Sequence, residues 1–328
     1  MTKESERSSE LFINHPSGWD ADEFQANWSA FLEELLQEEA GLLVPSRRIR
    51  CQIEQTPVFR EVVSGWAAIG GPQRLDAWKR LLVAAEEACR VILPACVQCG
   101  ECCRMGSPTL HREDLPLLQS GKIPWDQLVT LRKGEPARSP FDGRPFILPG
   151  ERIKLREKEG QSECVFLIND TRGGGADCSI YFDRPVQCRA QACWDPIPAR
   201  ETAQMPFLLR EHIFEGVDVL LQIISQHESR CGFDSLSGSF EELGRSNGAT
   251  IDKVLGLLSY EEHFRQFVSE KFNIPPRNME LLLGRSFTRM APLFGFRVSE
   301  EPDGTRLLTR VSAGVEEIVL NSQVEKRA

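Results

Sequence analysis

Apolar residues recur at helical spacing over much of the chain. Phe24, Trp28, Phe31, Leu32, Leu35 and Leu36 share one face of a helix that Asp20 opens, with Glu23 placed for a capping box, and that Gly41 ends. A second helix is expected from Pro72 to about Leu93, with Leu75, Trp78, Leu82, Ala85, Cys89 and Ile92 inward and Pro94 as its stop. A long helix is expected over 206–226, its core side formed by Ile213, Val217, Leu220, Leu221 and Ile224. Ser239 and Ser259, each followed three residues later by a glutamate, read as caps of short helices starting at Phe240 and Tyr260. Pro275 and Pro276 open another, through about Ala291. Residues 1–19 lack periodicity, 44–71 are mixed with a short helix at 59–68, 111–119 and 125–131 read as short helices, and 136–149 as an irregular connection. Alternation predicts two hairpins, 152–156 with 164–168 and 294–299 with 305–311. The expected fold is therefore α+β and mainly α, with helices around an irregular centre and small antiparallel hairpins. Three regions follow: a helical 1–93, an irregular cysteine-cluster core over 94–200, and a helical 201–328 that ends in a hairpin.

At 328 residues the chain is long enough to bury a sizeable core. Its 39 basic and 48 acidic residues give a net charge of -9, which argues against a general affinity for nucleic acid or anionic membrane. The C-terminal order of helices then hairpin is that of a winged helix, and Arg277, Arg285 and Arg289 can share one face. Residues 250–328 nonetheless balance eleven basic against eleven acidic residues, where a nucleic-acid surface carries a basic excess. The longest apolar stretch, over 217–224, is too short to span a bilayer, and the charged start at Met1 leads into no apolar segment of secretory type. The expected partners are metal ions and a protein or peptide, with no membrane and no nucleic acid.

Eleven cysteines without a secretory pattern point away from a disulfide scaffold and toward metal thiolates in a reducing cytoplasm. Four lie in Cys96-Val97-Gln98-Cys99-Gly100-Glu101-Cys102-Cys103-Arg104, where C-x2-C-x2-C spacing lets a short loop wrap its sulfurs round one soft centre. Gly100 permits the tight turn this needs. Neighbouring side chains tend to diverge, which would let Cys102 and Cys103 serve different centres. The second group is Cys178, Cys188 and Cys193, with Pro185 fixing the turn before Cys188 and Arg184 and Arg189 placing positive charge nearby; the predicted hairpin returns Cys164. The glycines at 173–175 lack the following helix and Lys-Ser/Thr of a phosphate cradle and read as a plain loop. Cys89 on an apolar helix face, Cys51 beside Arg47, Arg48 and Arg50, and Cys231 at a helix end read as non-ligands. The five histidines form no ligand pattern, and His111 lies nearest the loop.

Cys96 to Arg104, Cys164-Val-Phe-Leu, and Cys178-Ser-Ile-Tyr-Phe-Asp-Arg-Pro-Val-Gln-Cys188-Arg189 with Cys193 together resemble the YkgJ-like CxxCxxCC proteins, a family of zinc- or iron-chelating cysteine-cluster proteins. The resemblance covers about residues 94–195 and implies eight metal-site cysteines: Cys96, Cys99, Cys102, Cys103, Cys164, Cys178, Cys188 and Cys193. The cluster is also similar, more distantly, to that of flagellin lysine N-methylases. Eight thiolates divide into two four-ligand centres, for iron or an iron–sulfur cluster, or for zinc. The C-x2-C-x2-C run favours iron–sulfur, and the lack of a ferredoxin-like fourth cysteine and proline favours zinc. A metal-binding protein, a metal-dependent enzyme modifying a protein or peptide, and an interaction module stapled by metal all fit this pattern. No C-x3-C-x2-C loop or G-x-G-x-x-G turn supports direct methyl transfer.

Overall fold

Capping and aromatic burial build the N-terminal helices. The computed structural model describes residues 15–38, 45–91, 93–139, 143–169, 176–300, 306–312 and 315–320. Helix α1 (Ala21–Glu38) starts where Asp20 Oδ1 accepts the Glu23 amide and Glu23 Oε2 accepts the Asp20 amide, both at 2.9 Å, so the expected box is formed. Gly41, the expected stop, lies outside the described residues. The stretch read as mixed holds two helices, α2 (Ser46–Glu54) and α3 (Pro57–Gly65), the latter capped by Thr56. Helix α4 (Gly71–Cys89) ends earlier than its apolar periodicity suggested, and Leu81 rather than Leu82 is fully buried.

The chain divides into two compact units. Unit 1 comprises Met1–Gly106, Gly160–Arg184 and Cys188–Gln204. Its core is an aromatic cluster in which Trp28 and Trp66 are fully buried among Trp19, Phe24, Phe59 and Trp78. The rings meet edge-on or tilted, Trp19 to Trp78 at 5.0 Å and Phe24 to Trp66 at 4.4 Å between centroids, arrangements that aromatic quadrupoles favour.

Unit 2 comprises Ser107–Glu159, Pro185–Gln187 and Met205–Ala328. Here the predicted 125–131 helix is a short 3-10 turn followed by a strand, Leu128–Leu131, paired antiparallel with Arg152–Leu155. The predicted pairing of 152–156 with 164–168 is therefore replaced; the strand edge is taken by a more distant segment whose Leu128 and Val129 are buried. Residues 136–149, expected to be irregular, contain a short hairpin of Pro136–Arg138 with Pro145–Ile147. The predicted long helix at 206–226 is broken: Arg210–Ile213 is separate from Asp218–Cys231, and Gly216 at φ +79° marks the break.

Neither Ser239 nor Ser259 starts a helix, because Phe233–Arg245 and Ile251–Phe272 run through them. Their hydroxyls are engaged elsewhere, Ser239 Oγ donating to Ser235 O at 2.8 Å and Ser259 Oγ accepting from Arg306 Nη1 at 3.1 Å. The helix expected from Pro276 is interrupted at Gly284, giving Met279–Leu283 and Phe287–Met290. The C-terminal hairpin is present as Phe296–Glu300 with Arg306–Ser312, and a third strand, Val315–Leu320, extends it. Its turn residues lie outside the described residues. The protein is thus α+β and mainly helical, with small antiparallel sheets. Among the described residues no helix is long and apolar enough to cross a membrane.

Candidate metal centre

The first cysteine loop is shaped by two left-handed residues, Gln98 at φ +52° and Gly100 at φ +74°. Gly100 caps a single helical turn, Glu101–Arg104, with its carbonyl accepting the Cys103 and Arg104 amides at 3.1 and 3.0 Å. A Cβ at residue 100 would stand 2.5 Å from Ala176 Cβ and from Arg104 Nη1, so glycine is required both by conformation and by space. Arg104 Nη1 in turn donates to Cys99 O at 2.8 Å, which ties the two ends of the loop together.

Two backbone bonds bring distant segments of unit 1 to this loop. The Cys164 amide donates to Cys103 O at 2.8 Å, supported by Ser162 Oγ on Arg104 O and by Arg104 Nε 3.5 Å from Glu163 Oε1. The Ala176 amide donates to Gln98 O at 2.9 Å. From there Ala176–Cys178 pairs antiparallel with Leu167–Asn169, which sets Cys178 opposite Leu167. Cys164 thus reaches the loop through its own amide bond, not through the hairpin expected to carry it. The glycine loop at 170–175 lies outside the described residues.

All eight expected cysteines belong to unit 1. Cys102 and Cys103 do not diverge: their sulfurs are 4.0 Å apart. Sulfurs about 2.3 Å from a tetrahedral metal stand about 3.8 Å from each other, so this pair suits a shared centre. The hydrogen bond with Cys103, then burial, then the charge of Cys103 push the Cys102 thiol far up. Burial raises Cys99, helped by the charges of Cys102 and Cys96. Burial raises Cys188 strongly, helped by Cys102, Cys164 and Cys178, and raises Cys178, helped by Cys102. Cys193 is raised by burial and by Cys99 and Cys102, against the opposing charge of Arg48. Arg184 is half-buried over the Tyr181 ring, with its Nε donating to Tyr181 O at 2.8 Å, and its charge opposes the rise at both Cys178 and Cys188. Arg189 is exposed and donates to Arg184 O at 2.6 Å.

Cys99 and Cys164 are buried, Cys103, Cys178, Cys188 and Cys193 are half-buried, and Cys96 and Cys102 are exposed. Water therefore reaches Cys102 although protein atoms crowd its thiol enough to disfavour the thiolate. Among the described residues no three His, Cys, Asp or Glu side chains already stand as a finished coordination set. The donor chemistry nonetheless fits a soft or borderline metal: clustered thiols whose charged forms repel one another are relieved by a cation.

Sequence reasoning missed the part played by α2. Gln55 Nε2 donates to Val97 O at 2.7 Å, Arg47 Nε lies 3.5 Å from Glu101 Oε2, and Gln52 Nε2 donates to Ala88 O at 2.8 Å. Cys51, on the same helix, packs in a buried cluster with Val97 and Cys99. Burial, and then the charge of Cys99, push its thiol up to about 11. The polar side chains at 47, 52 and 55 lie on one helical side, a spacing visible in the sequence, but nothing local indicated what they would meet. Cys89 is buried in the aromatic core, and Cys231 is fully buried in unit 2. His111 is also in unit 2, buried and stacked on Phe207 at 4.8 Å.

No curated protein and no solved structure gives a significant match to the chain. A family model does match residues 95–206, about a third of the chain, and it spans the eight cysteines just described. With its C-x2-C-x2-C-C loop and returning cysteine segments, the stretch 95–206 matches the model of the CxxCxxCC family, described as a "putative zinc- or iron-chelating domain".

Proposed function

We propose that this protein binds zinc or iron through Cys96, Cys99, Cys102, Cys103, Cys164, Cys178, Cys188 and Cys193, arranged as one or two thiolate centres in a reducing cytoplasm. The observation that carries this reading is geometric: the Cys164 amide bonds to Cys103 O and the Ala176 amide to Gln98 O, which brings the segments of Cys164 and Cys178 onto the loop where the Cys102 and Cys103 sulfurs stand 4.0 Å apart. Iron, alone or as an iron–sulfur cluster, and zinc both suit an all-sulfur donor set. A bound zinc would supply a fixed cross-link, and an iron–sulfur cluster would add electron transfer. The chain's own contribution is to gather the thiols, to hold Arg184 toward them, and to leave Cys96 and Cys102 reachable from solvent. That reachability distinguishes the site from a wholly buried structural staple.

The test is anaerobic reconstitution of the metal-free full chain with zinc or ferrous iron, followed by thiol labelling. The eight named cysteines should become protected in step with metal uptake, while labelling of Cys89 and Cys231 should not change. Equal labelling with and without bound metal would refute the assignment.

A further inference from the structure

Arg48 is a fully buried cation in an unusual setting. Its Nη2 donates to the carbonyls of Leu93 and Ala95, the second at 3.2 Å, immediately before Cys96. Its guanidinium lies 5.1 Å from the ring centroid of Trp194, immediately after Cys193. Yet Nε and Nη1 have no hydrogen-bond partner, and no carboxylate among the described residues forms an ion pair with Arg48. A buried charge without a partner is strongly unfavourable unless an opposite charge meets it. Arg48, on α2 and outside the segment that matches the CxxCxxCC family, thus touches the chain just before Cys96 and just after Cys193.

On the reading that the cysteines bind metal, we infer that Arg48 is the buried counter-charge of the thiolate centre, a positioning residue whose unpaired N–H groups serve the sulfurs of the loaded state. A divalent metal with four thiolates keeps a net negative charge, and that is the charge this guanidinium lacks. The two carbonyl bonds aim the side chain, and the Trp194 face holds it flat. Arg48 thereby couples the N-terminal helices to the site without being a ligand.

The experiment compares Arg48→Met and Arg48→Lys with the wild type, as full chains, measuring zinc and ferrous-iron affinity by chelator competition and the unfolding midpoint of the metal-free protein. Arg48→Met should bind metal about 10–100-fold more weakly, the usual effect of losing a group that supports the ligands. Its metal-free midpoint should be unchanged or higher, because an unpaired buried charge has been removed. Arg48→Lys, which keeps the charge, should bind more tightly than Arg48→Met. Wild-type affinity in Arg48→Met, equal weakening in both variants, or a metal-free midpoint that falls in parallel with affinity would overturn the inference. If cysteine variants lose metal while Arg48 variants do not, this inference fails alone; if the wild type binds neither metal, the proposed function fails with it.

Discussion

Replacing Gly100 by alanine isolates what the cysteine loop demands of its backbone. Two penalties apply. A left-handed φ of +74° costs an L-residue about 1–2 kcal/mol. The new methyl must also clear Ala176 Cβ and Arg104 Nη1, each at 2.5 Å. Ala176 has no side-chain freedom and is fixed by its amide bond to Gln98 O, so relief there needs backbone movement worth about 1–3 kcal/mol. Arg104 can swing away, but then loses its bond to Cys99 O, about 1 kcal/mol. Gly160, in the same unit at φ +70° with nothing within 4 Å of its Cβ position, carries only the first penalty. Gly100→Ala should therefore destabilise the metal-free protein by about 2–4 kcal/mol more than Gly160→Ala. It should also lower metal content, because it separates the segment carrying Cys178 from the loop. Urea unfolding and metal analysis of both variants provide the assay. Equal destabilisation, with metal retained by both, would refute the geometric argument.

Three further outcomes are expected. Serine at any of the eight cluster cysteines should lower metal content, whereas Cys51→Ala, Cys89→Ala and Cys231→Ala should keep it and lose about 1–3 kcal/mol of packing, checked by metal analysis beside denaturant unfolding. Glu135 is fully buried, accepting from Arg132 Nε at 3.2 Å and Arg285 Nη2 at 2.6 Å, so Glu135→Gln should destabilise unit 2 by about 3–5 kcal/mol by leaving buried Arg132 without its counter-charge; an unchanged unfolding curve would contradict this. Burial holds His227 below its ordinary value of 6.5, while His227 and Arg265 outweigh burial at Glu261 and hold that carboxyl below 4.5. The unfolded chain then takes up more protons in acid, so stability should fall as pH drops below about 6.5 and more steeply below about 4.5; stability that is flat from pH 7 to 4 would exclude the pair as a contributor.

Local rules were legible where one segment settles its own geometry. Asp20 and Glu23 lie on the same turn, and their capping box is formed as the spacing predicts. The cysteine spacing and the turn at Gly100 are equally local. Rules failed where a distant partner decided the outcome. Arg152–Leu155 pairs with Leu128–Leu131, whose apolar run reads equally well as a helix. The Ser239 and Ser259 boxes are overridden by apolar periodicity that continues through them, with Leu236, Phe240 and Leu243 all buried. Arg48 was the least legible, since an arginine in a basic run reads as solvated and its burial depends on Ala95 and Trp194, which lie far along the chain. The pairing of Cys102 with Cys103 likewise depends on side-chain rotation that spacing does not specify.

The central claim is that these thiols hold a metal, and X-ray absorption on protein purified without oxygen tests it most directly. Zinc or iron should be present, with a first coordination shell of sulfur at about 2.3 Å, and the sulfur shell should be lost in Cys102→Ser. A folded, metal-free wild-type protein with its cysteines joined as disulfides, or a metal bound mainly through oxygen, would contradict the account.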